Sequence, residues 1–426
     1  MIIHVVKPGE SIFTISNKYG IPSEKIISDN KLTSPEKLVI GQTLVIMAEN
    51  LPHKVTKGQS LFLISKFYGI TVSDLLKANP QIKNPKRLTP GYVIQIPMSH
   101  TKLGTIEVNG YAFSNINMDV LRNTLPHLTY LSIFSYEVRP NGSLITINDA
   151  PLIQEARAAR VAPMMVITNI AENAGFSSSL AHTILNREQI QNTLISNIID
   201  TLKNKHYYGL DIDFEYIYPE DKDNYNKFLK KVTDTLHPLG YKVVTSLAPK
   251  TSSSQHGLLY EAHDYPVHGK HADHVLIMTY EWGYTYGPAE AVAPINQVKK
   301  VLDYAISEIP SKKILMGMPN YGYDWTLPFV RGSAARTLTN IGALDLARRQ
   351  RVNIQYNSKS QAPFFHYTDN AGKKHEVWFD DARSIAARLH LVNQYHLGGI
   401  SYWTINRFFA QNWLVLESLY NIKKIL

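Results

Sequence analysis

Residues 105–426 carry eight apolar runs of strand length, with amphipathic helical stretches between them. The runs are TIEVNGYAF, LTYLSIFSYEV, VAPMMVITN, YGLDIDFEY, KVVTSLAPK, HVLIMTYEW, KILMGMPNYGY and LGGISYWTI. Helical periodicity is clearest in REQIQNTLISNIIDTLKNK and NKFLKKVTDTLHPLG. Such alternation restricts the chain to a parallel α/β architecture, because a crossover helix must return each strand to the same end of the sheet. Eight strand–helix units in about 320 residues are the count that closes a (β/α)8 TIM barrel. The seventh and eighth runs lie far apart. Between them FFHYTDNAGKKHEVWF reads as a hairpin around Asn370-Ala371-Gly372. Residues 325–380 are therefore expected to form a small α+β insertion after the seventh strand, on the face where barrel active sites sit.

The first hundred residues are built differently. HVVKPGESIFTISNKYGI from His4 returns as HKVTKGQSLFLISKFYGI from His53, an offset of 49. Leu38 and Gly41 return as Leu88 and Gly91 at an offset of 50, so the second copy has one more loop residue. Each copy reads as strand, helix, helix, strand. Ser11 caps a helix whose Ile12, Ile15 and Tyr19 share a face, and Gly20 ends it. This doubled pattern resembles the LysM module, a βααβ unit, over residues 1–48 and 51–98. The resemblance implies binding of glycans that contain N-acetylglucosamine. The connectors at 48–52 and 98–104 are short and polar, and are expected to be flexible.

The net charge of +9 is unevenly placed. Residues 51–100 hold Lys54, Lys57, Lys66, Lys77, Lys83, Lys86 and Arg87 against Asp74 alone. These bases are spread over helix and loop positions, which argues against a nucleic-acid partner and suits an anionic polymer such as a cell wall. No run of 18 apolar residues occurs, so no membrane span is expected. The opening MIIHVVKPGE lacks a basic stretch leading into an apolar one, so no secretory signal peptide is expected. Cysteine is absent, which excludes disulfides, thiolate metal sites and cysteine nucleophiles.

In the fourth run, YGLDIDFEY, Asp211, Asp213 and Glu215 alternate with Leu210, Ile212 and Phe214. A strand places alternate side chains on one face, so the three acids stack toward the mouth of the barrel with Glu215 outermost. At about 6–7 Å and an effective dielectric near 20, two carboxylates repel by about 2.5 kcal/mol. At least one is then expected to hold its proton near neutrality, which is what a general acid needs.

GLDIDFE resembles the strand-four signature DxxDxDxE of the family 18 glycoside hydrolases, and other landmarks follow in order. Met278 and Tyr280 in MTYEW match the strand-six Met-x-Tyr-Asp motif. GMPNYGYDW matches the strand-seven segment, GGISYW places Trp403 at the end of strand eight, and NGYAF puts Tyr111 after strand one. Two positions depart from the pattern. Tyr208 stands where the first acid is expected, and Glu281 where the family has Asp.

The resemblance implies a retaining, substrate-assisted mechanism that needs no metal or cofactor. The 2-acetamido oxygen of the −1 sugar attacks and forms an oxazolinium ion. Carried over, Glu215 protonates the glycosidic oxygen and later activates water. Asp213 orients the acetamide, Asp211 tunes Asp213, and Tyr280 donates to the acetamide carbonyl. Trp403 floors the −1 subsite. Tyr111, Glu281 and Met278 are further binding candidates. Trp282, Tyr321 and Trp325 follow strand ends at the mouth and are expected sugar contacts.

Two other features compete for chemistry. The histidines of HGKHADH lack the HExxH pattern of a helical zinc site and are expected in a solvated loop. SLAPK offers Ser246 and Lys250 without a base at triad spacing.

The pairing of two LysM-like repeats with such a barrel, and MTYEWGYTYGPAEAVAPINQV itself, is similar to the spore cortex-lytic N-acetylglucosaminidases of Bacillus-type spore formers. That similarity implies peptidoglycan as partner, held by the repeats and the barrel cleft, and location in the spore. A chitinase or chitooligosaccharide hydrolase would use the same constellation. A non-catalytic glycan-binding coat lectin is the alternative from another class, and a retained Glu215 weighs against it.

Overall fold

The computed structural model describes residues 1–98, 101–171 and 175–426. Each of the eight apolar runs becomes a strand of one closed parallel barrel. The strands are Gly104–Phe113, Tyr130–Val138, Ala162–Thr168, Gly209–Asp213, Lys242–Leu247, His274–Ile277, Ile314–Pro319 and Gly399–Trp403. The ring closes where the eighth strand pairs with the first (Gly399 opposite Glu107) and the first pairs with the second. Ala162–Thr168 and Ile314–Pro319 are buried along their whole length. Side chains fill the barrel on one face of these strands and helices cover the other, so their sequences read as continuous rather than alternating apolar runs. Helix Lys222–Leu236 is one such cover, burying Tyr225, Phe228, Leu229, Val232 and Leu236 on a single stripe.

After the seventh strand the chain forms a five-stranded antiparallel sheet from Gly322–Leu327 to Lys374–Trp378, with helix Asn340–Gln350 packed on it. The expected hairpin is present, with Thr368 opposite Lys374. This unit has its own apolar core of Ala343, Leu346, Phe365, Val377 and Phe379.

Both repeats fold as βααβ units: Ile2–Val5, Ile12–Tyr19, Ser23–Asp29 and Thr43–Ile46, then Asn50–Lys54, Leu61–Tyr68, Val72–Lys77 and Val93–Pro97. The recurring asparagines have a structural reason. Asn30 donates to the carbonyls of Ile26 and Val45 and accepts the Val45 N–H, and Asn79 does the same with Leu75 and Gln95. Each thereby ties the end of the second helix to the closing strand.

The expectation of flexible connectors fails at residues 48–52, because Asn50–Lys54 is already the first strand of the second repeat. In the other connector, residues 99–100 lie outside the described residues. The first repeat is docked on the barrel and its insertion. Thr43 Oγ1 bonds Gln411 Oε1 at 2.7 Å, and Gln411 Nε2 donates to the Thr43 carbonyl. Arg348 donates to the Lys37 carbonyl, and Ile354 N–H to that of Ile40. Val45 joins the barrel core and Val39 the insertion core.

Gly41 makes this contact possible. Its φ is +86°, and a Cβ there would fall 1.9 Å from the Ile354 carbonyl oxygen. Its counterpart Gly91 has φ +88° and nothing within 4 Å. The pair separates backbone strain from docking. Gly91→Ala is expected to cost about 1 kcal/mol, the left-handed penalty alone, and Gly41→Ala about 1–3 kcal/mol more from overpacking. Denaturant titration of both variants checks this, and equal losses would contradict a docked first repeat.

Candidate active site

The acidic strand begins at a close approach. A Cβ on Gly209 would lie 2.3 Å from the Lys242 carbonyl oxygen, so only glycine lets the fourth and fifth strands meet there. Leu210, Ile212 and Phe214 turn outward and are fully buried, with Phe214 stacked on Tyr225 and Phe228 of the covering helix. That burial fixes the register and turns Asp211 and Asp213 into the barrel.

Asp211 is deepest. Its Oδ2 accepts from Tyr111 Oη at 2.6 Å and Ser132 Oγ at 2.9 Å, donors supplied by the first and second strands. Tyr111 Oη also lies 2.9 Å from Ser246 Oγ of the fifth strand. Burial pushes the Asp211 carboxyl up to about 6, while the hydroxyl donors pull it back. Asp213 is 5% exposed, and its Oδ1 has no hydrogen-bond partner among the described residues. Burial, then the charges of Glu215 and Asp211, hold it well above the usual carboxylate range.

Glu215 lies just past the strand end, where the ladder no longer fixes it. The buried Asn169 side chain holds it instead: Oδ1 accepts the Glu215 N–H at 2.9 Å and Nδ2 donates to the Glu215 carbonyl at 2.8 Å. One residue earlier, His263 accepts the Ala248 N–H at Nδ1, so the ring proton sits on Nε2 and is donated to the Phe214 carbonyl. Burial pushes His263 down to about 4, which keeps that ring neutral. The Glu215 carboxyl is pushed up to about 7 by burial and then by the charge of Glu281.

Asp213, Glu215, Met278, Tyr280, Glu281, Trp282 and Trp403 line one cavity of about 680 Å³. Tyr280 is largely buried beside the acids, and burial followed by the Asp213 charge raises its hydroxyl well above the usual range. Trp403 packs edge-on against Tyr111, Phe113 and Phe134. Glu281 has a left-handed backbone, φ 68°. One of its carboxylate oxygens accepts the hydroxyls of Tyr321 and Tyr323.

Several expectations need correction. Trp325 is 2% exposed, because its strand pairs within the insertion sheet and carries the indole under the Gly283–Gly287 loop, where Nε1 donates to the Gly287 carbonyl. It is a core residue and not a cleft contact. Tyr111 reaches the cavity wall, but its hydroxyl is committed to Asp211. Tyr321 borders a neighbouring cavity and holds Glu281.

The HGKHADH segment is not a solvated loop. Its first four residues end helix Tyr265–His271, with His268 fully buried at 3.1 Å from Thr245 Oγ1 and pushed down to about 3 by burial. No group of three or more potential metal ligands occurs among the described residues. Lys250 is buried and donates to the His263 carbonyl, so it forms no dyad with Ser246.

The residues that the sequence did not single out are Asn169, Ser132 and His263, together with Tyr216, Gln255, Tyr260 and Tyr284 around the outer cavity. Asn169 ends the VAPMMVITN run, and its position beside the acidic strand was the only available hint.

The family model described as glycosyl hydrolases family 18 matches residues 108–407, and the LysM domain model matches residues 4–46 and 53–97. A cortical fragment-lytic enzyme of Bacillus subtilis (strain 168) is 39% identical over 428 residues, covering 100% of this chain and 99% of that protein. The crystal structure of the spore cortex-lytic enzyme SleL of Bacillus megaterium QM B1551 superposes with a TM-score of 0.91 at 39% identity, covering 100% of this chain and 99% of the other. That of the Bacillus cereus spore cortex-lytic enzyme SleL superposes at 0.86 with 40% identity, covering 99% and 98%.

Proposed function

The chain belongs to glycosyl hydrolases family 18, and on that premise we propose that it hydrolyses spore-cortex peptidoglycan after N-acetylglucosamine, with the substrate's own acetamide as nucleophile. This reading is carried by the Glu215 carboxyl, pushed up to about 7, lining the same cavity as Asp213, whose buried Oδ1 has no partner among the described residues. A sugar resting on Trp403 would bring its glycosidic oxygen to Glu215, which donates the proton as the bond breaks. Its 2-acetamido N–H would meet Asp213, whose negative charge stabilises the positive oxazolinium as it forms. Tyr280 would donate to the acetamide oxygen and align it for attack at C1. Asp211, whose Oδ2 accepts from Tyr111 and Ser132, would take the proton that Asp213 gives up as it becomes charged. Glu215, now ionised, then activates the water that opens the intermediate with retained configuration.

The LysM repeats are glycan-binding modules. We assign them the long peptidoglycan strand, with the basic second repeat suited to its anionic peptides. Full-length similarity to spore cortex-lytic enzymes supports work at the spore cortex.

Product mass spectrometry on purified cortex fragments and on chitin oligomers tests the assignment. Cortex products ending in N-acetylglucosamine are expected, and cleavage of chitin oligomers alone would overturn the substrate. Glu281 supplies a second check. Its charge helps keep the proton on Glu215, so Glu281→Gln is expected to move the alkaline limb of the kcat profile to lower pH. An unmoved limb would remove Glu281 from that role.

A further inference from the structure

We propose that the loop after the third barrel strand, through Asn169 and Ser178, positions Glu215 for proton donation; this rests on the function proposed above. The pairing of the third and fourth strands ends with Thr168 opposite Asp213, so Glu215 lies beyond the ladder. The Asn169 amide takes the place of the missing rung, since a side-chain amide offers the same donor and acceptor as a peptide. It bonds both main-chain polar groups of Glu215, and its Nδ2 donates a second time, to the Ser177 carbonyl at 3.1 Å. Asn169 is fully buried, and both of its N–H donors are used.

The same loop holds the next residue. Tyr216 has a left-handed backbone, φ 53°, which an L-residue adopts at a cost. Ser178 Oγ donates to its carbonyl. The loop is also closed on itself: Ser177 N–H donates to the Asn169 carbonyl, and Phe176 pairs with Ile170. Asn169 and Ser178 thus stand at the two ends of a closed loop and grip consecutive residues. Their bonds reach only main-chain atoms of Glu215 and Tyr216, which fixes the chain beneath the acid and leaves its carboxyl to the cavity. Neither side chain borders the cavity, so both are positioning residues that act through Glu215.

The consequence is chemical. As the C1–O bond breaks, the acetamide oxygen supplies an electron pair to C1. The departing oxygen keeps both bonding electrons and takes the Glu215 proton. A sugar alcohol needs that proton in order to leave, whereas an aryloxide departs as the anion. Misplacing the acid therefore slows the first reaction and largely spares the second.

The test uses the full chain and two substrates that place the same N-acetylglucosamine at the scissile bond, one releasing a sugar and the other 4-nitrophenolate. The readout is kcat/KM, which covers the steps up to bond cleavage and omits the later attack of water. Asn169→Ala is expected to lose about 10²-fold on the sugar-releasing substrate, the cost of a misplaced group, and less than about threefold on the aryl one. Glu215→Gln should show the same pattern, and adding Asn169→Ala to it should cost little more, because the two residues act as one unit. Ser178→Ala, a smaller cut on a half-buried side chain, should lose activity in the same direction by a smaller factor, and it tests the pattern should Asn169→Ala fail to fold. An equal loss on both substrates, no loss on either, or additive losses in the double variant would overturn the positioning role while leaving the proposed function standing. If Glu215→Gln itself loses equally on both, Glu215 is not the donor, and the proposed function falls together with this inference.

Discussion

Glu215→Gln is expected to lower kcat on cortex fragments by about 10³–10⁴-fold, the range general acid–base catalysis supplies. The amide has nearly the same shape and keeps the Asn169 grip, which engages only main-chain atoms. What disappears is the proton. The same change should stabilise the fold at alkaline pH. Glu215 titrates near 7 in the folded chain against 4.5 without its surroundings. Between those values the folded state binds more protons than the unfolded one, so stability falls as pH rises through the window, and the deficit is complete above it. Glutamine cannot ionise. Glu215→Gln should therefore melt higher than wild type above pH 7, by about 1–2 kcal/mol after allowing for a carboxyl that faces a solvent-filled cleft. Below pH 4.5 the two should converge. Steady-state kinetics together with melting curves at several pH values check both halves. A variant with near-full activity would refute Glu215 as the acid.

Asp213→Asn is expected to cost about 10²–10³-fold in kcat with little change in KM, because the lost charge acts on an interaction made chiefly in the transition state. The structure separates the two buried aspartates. Each has one buried oxygen without a partner among the described residues, but Asp211 does not border the cavity and its other oxygen is held by hydroxyls of the first and second strands, whereas Asp213 borders the cavity. A buried polar atom without a partner is costly, and one kept beside a catalytic cavity points to a partner supplied by the substrate. Asp211→Asn should therefore be the milder change. Equal losses for both, or a loss confined to KM, would contradict this division of roles.

The barrel was legible in the sequence because strands such as Ala162–Thr168 and Ile314–Pro319 are buried on both faces and so write continuous apolar runs. The acidic strand was legible because its two-residue period carries acids on one side and core residues on the other. The departure at Tyr208 also becomes clear. This residue precedes the strand, packs against Tyr130 with Met164 and Val244, and lies away from the substrate cavity. Its missing carboxylate therefore leaves the acids at the cavity intact.

Local patterning does not report partners brought in by folding. The docking of the first repeat joins Thr43 to Gln411, and no periodicity links positions so distant in sequence. Trp325 follows a strand end, as a mouth residue should, but pairing within the insertion sheet turns it under a loop. The proton on Glu215 was expected from repulsion within its own strand. The structure instead gives burial as the larger cause and Glu281, from the segment after the sixth strand, as the charged neighbour.

If the stacked acids serve a nucleophile carried by the substrate, turnover must depend on the acetamide; the comparison is between two oligosaccharides identical except at the scissile sugar, one N-acetylated and one bearing the free amine. Loss of turnover by at least about 10³-fold on the free amine, with the acetylated substrate giving the β-anomer as first product, is the expected result. Comparable rates on both would contradict it.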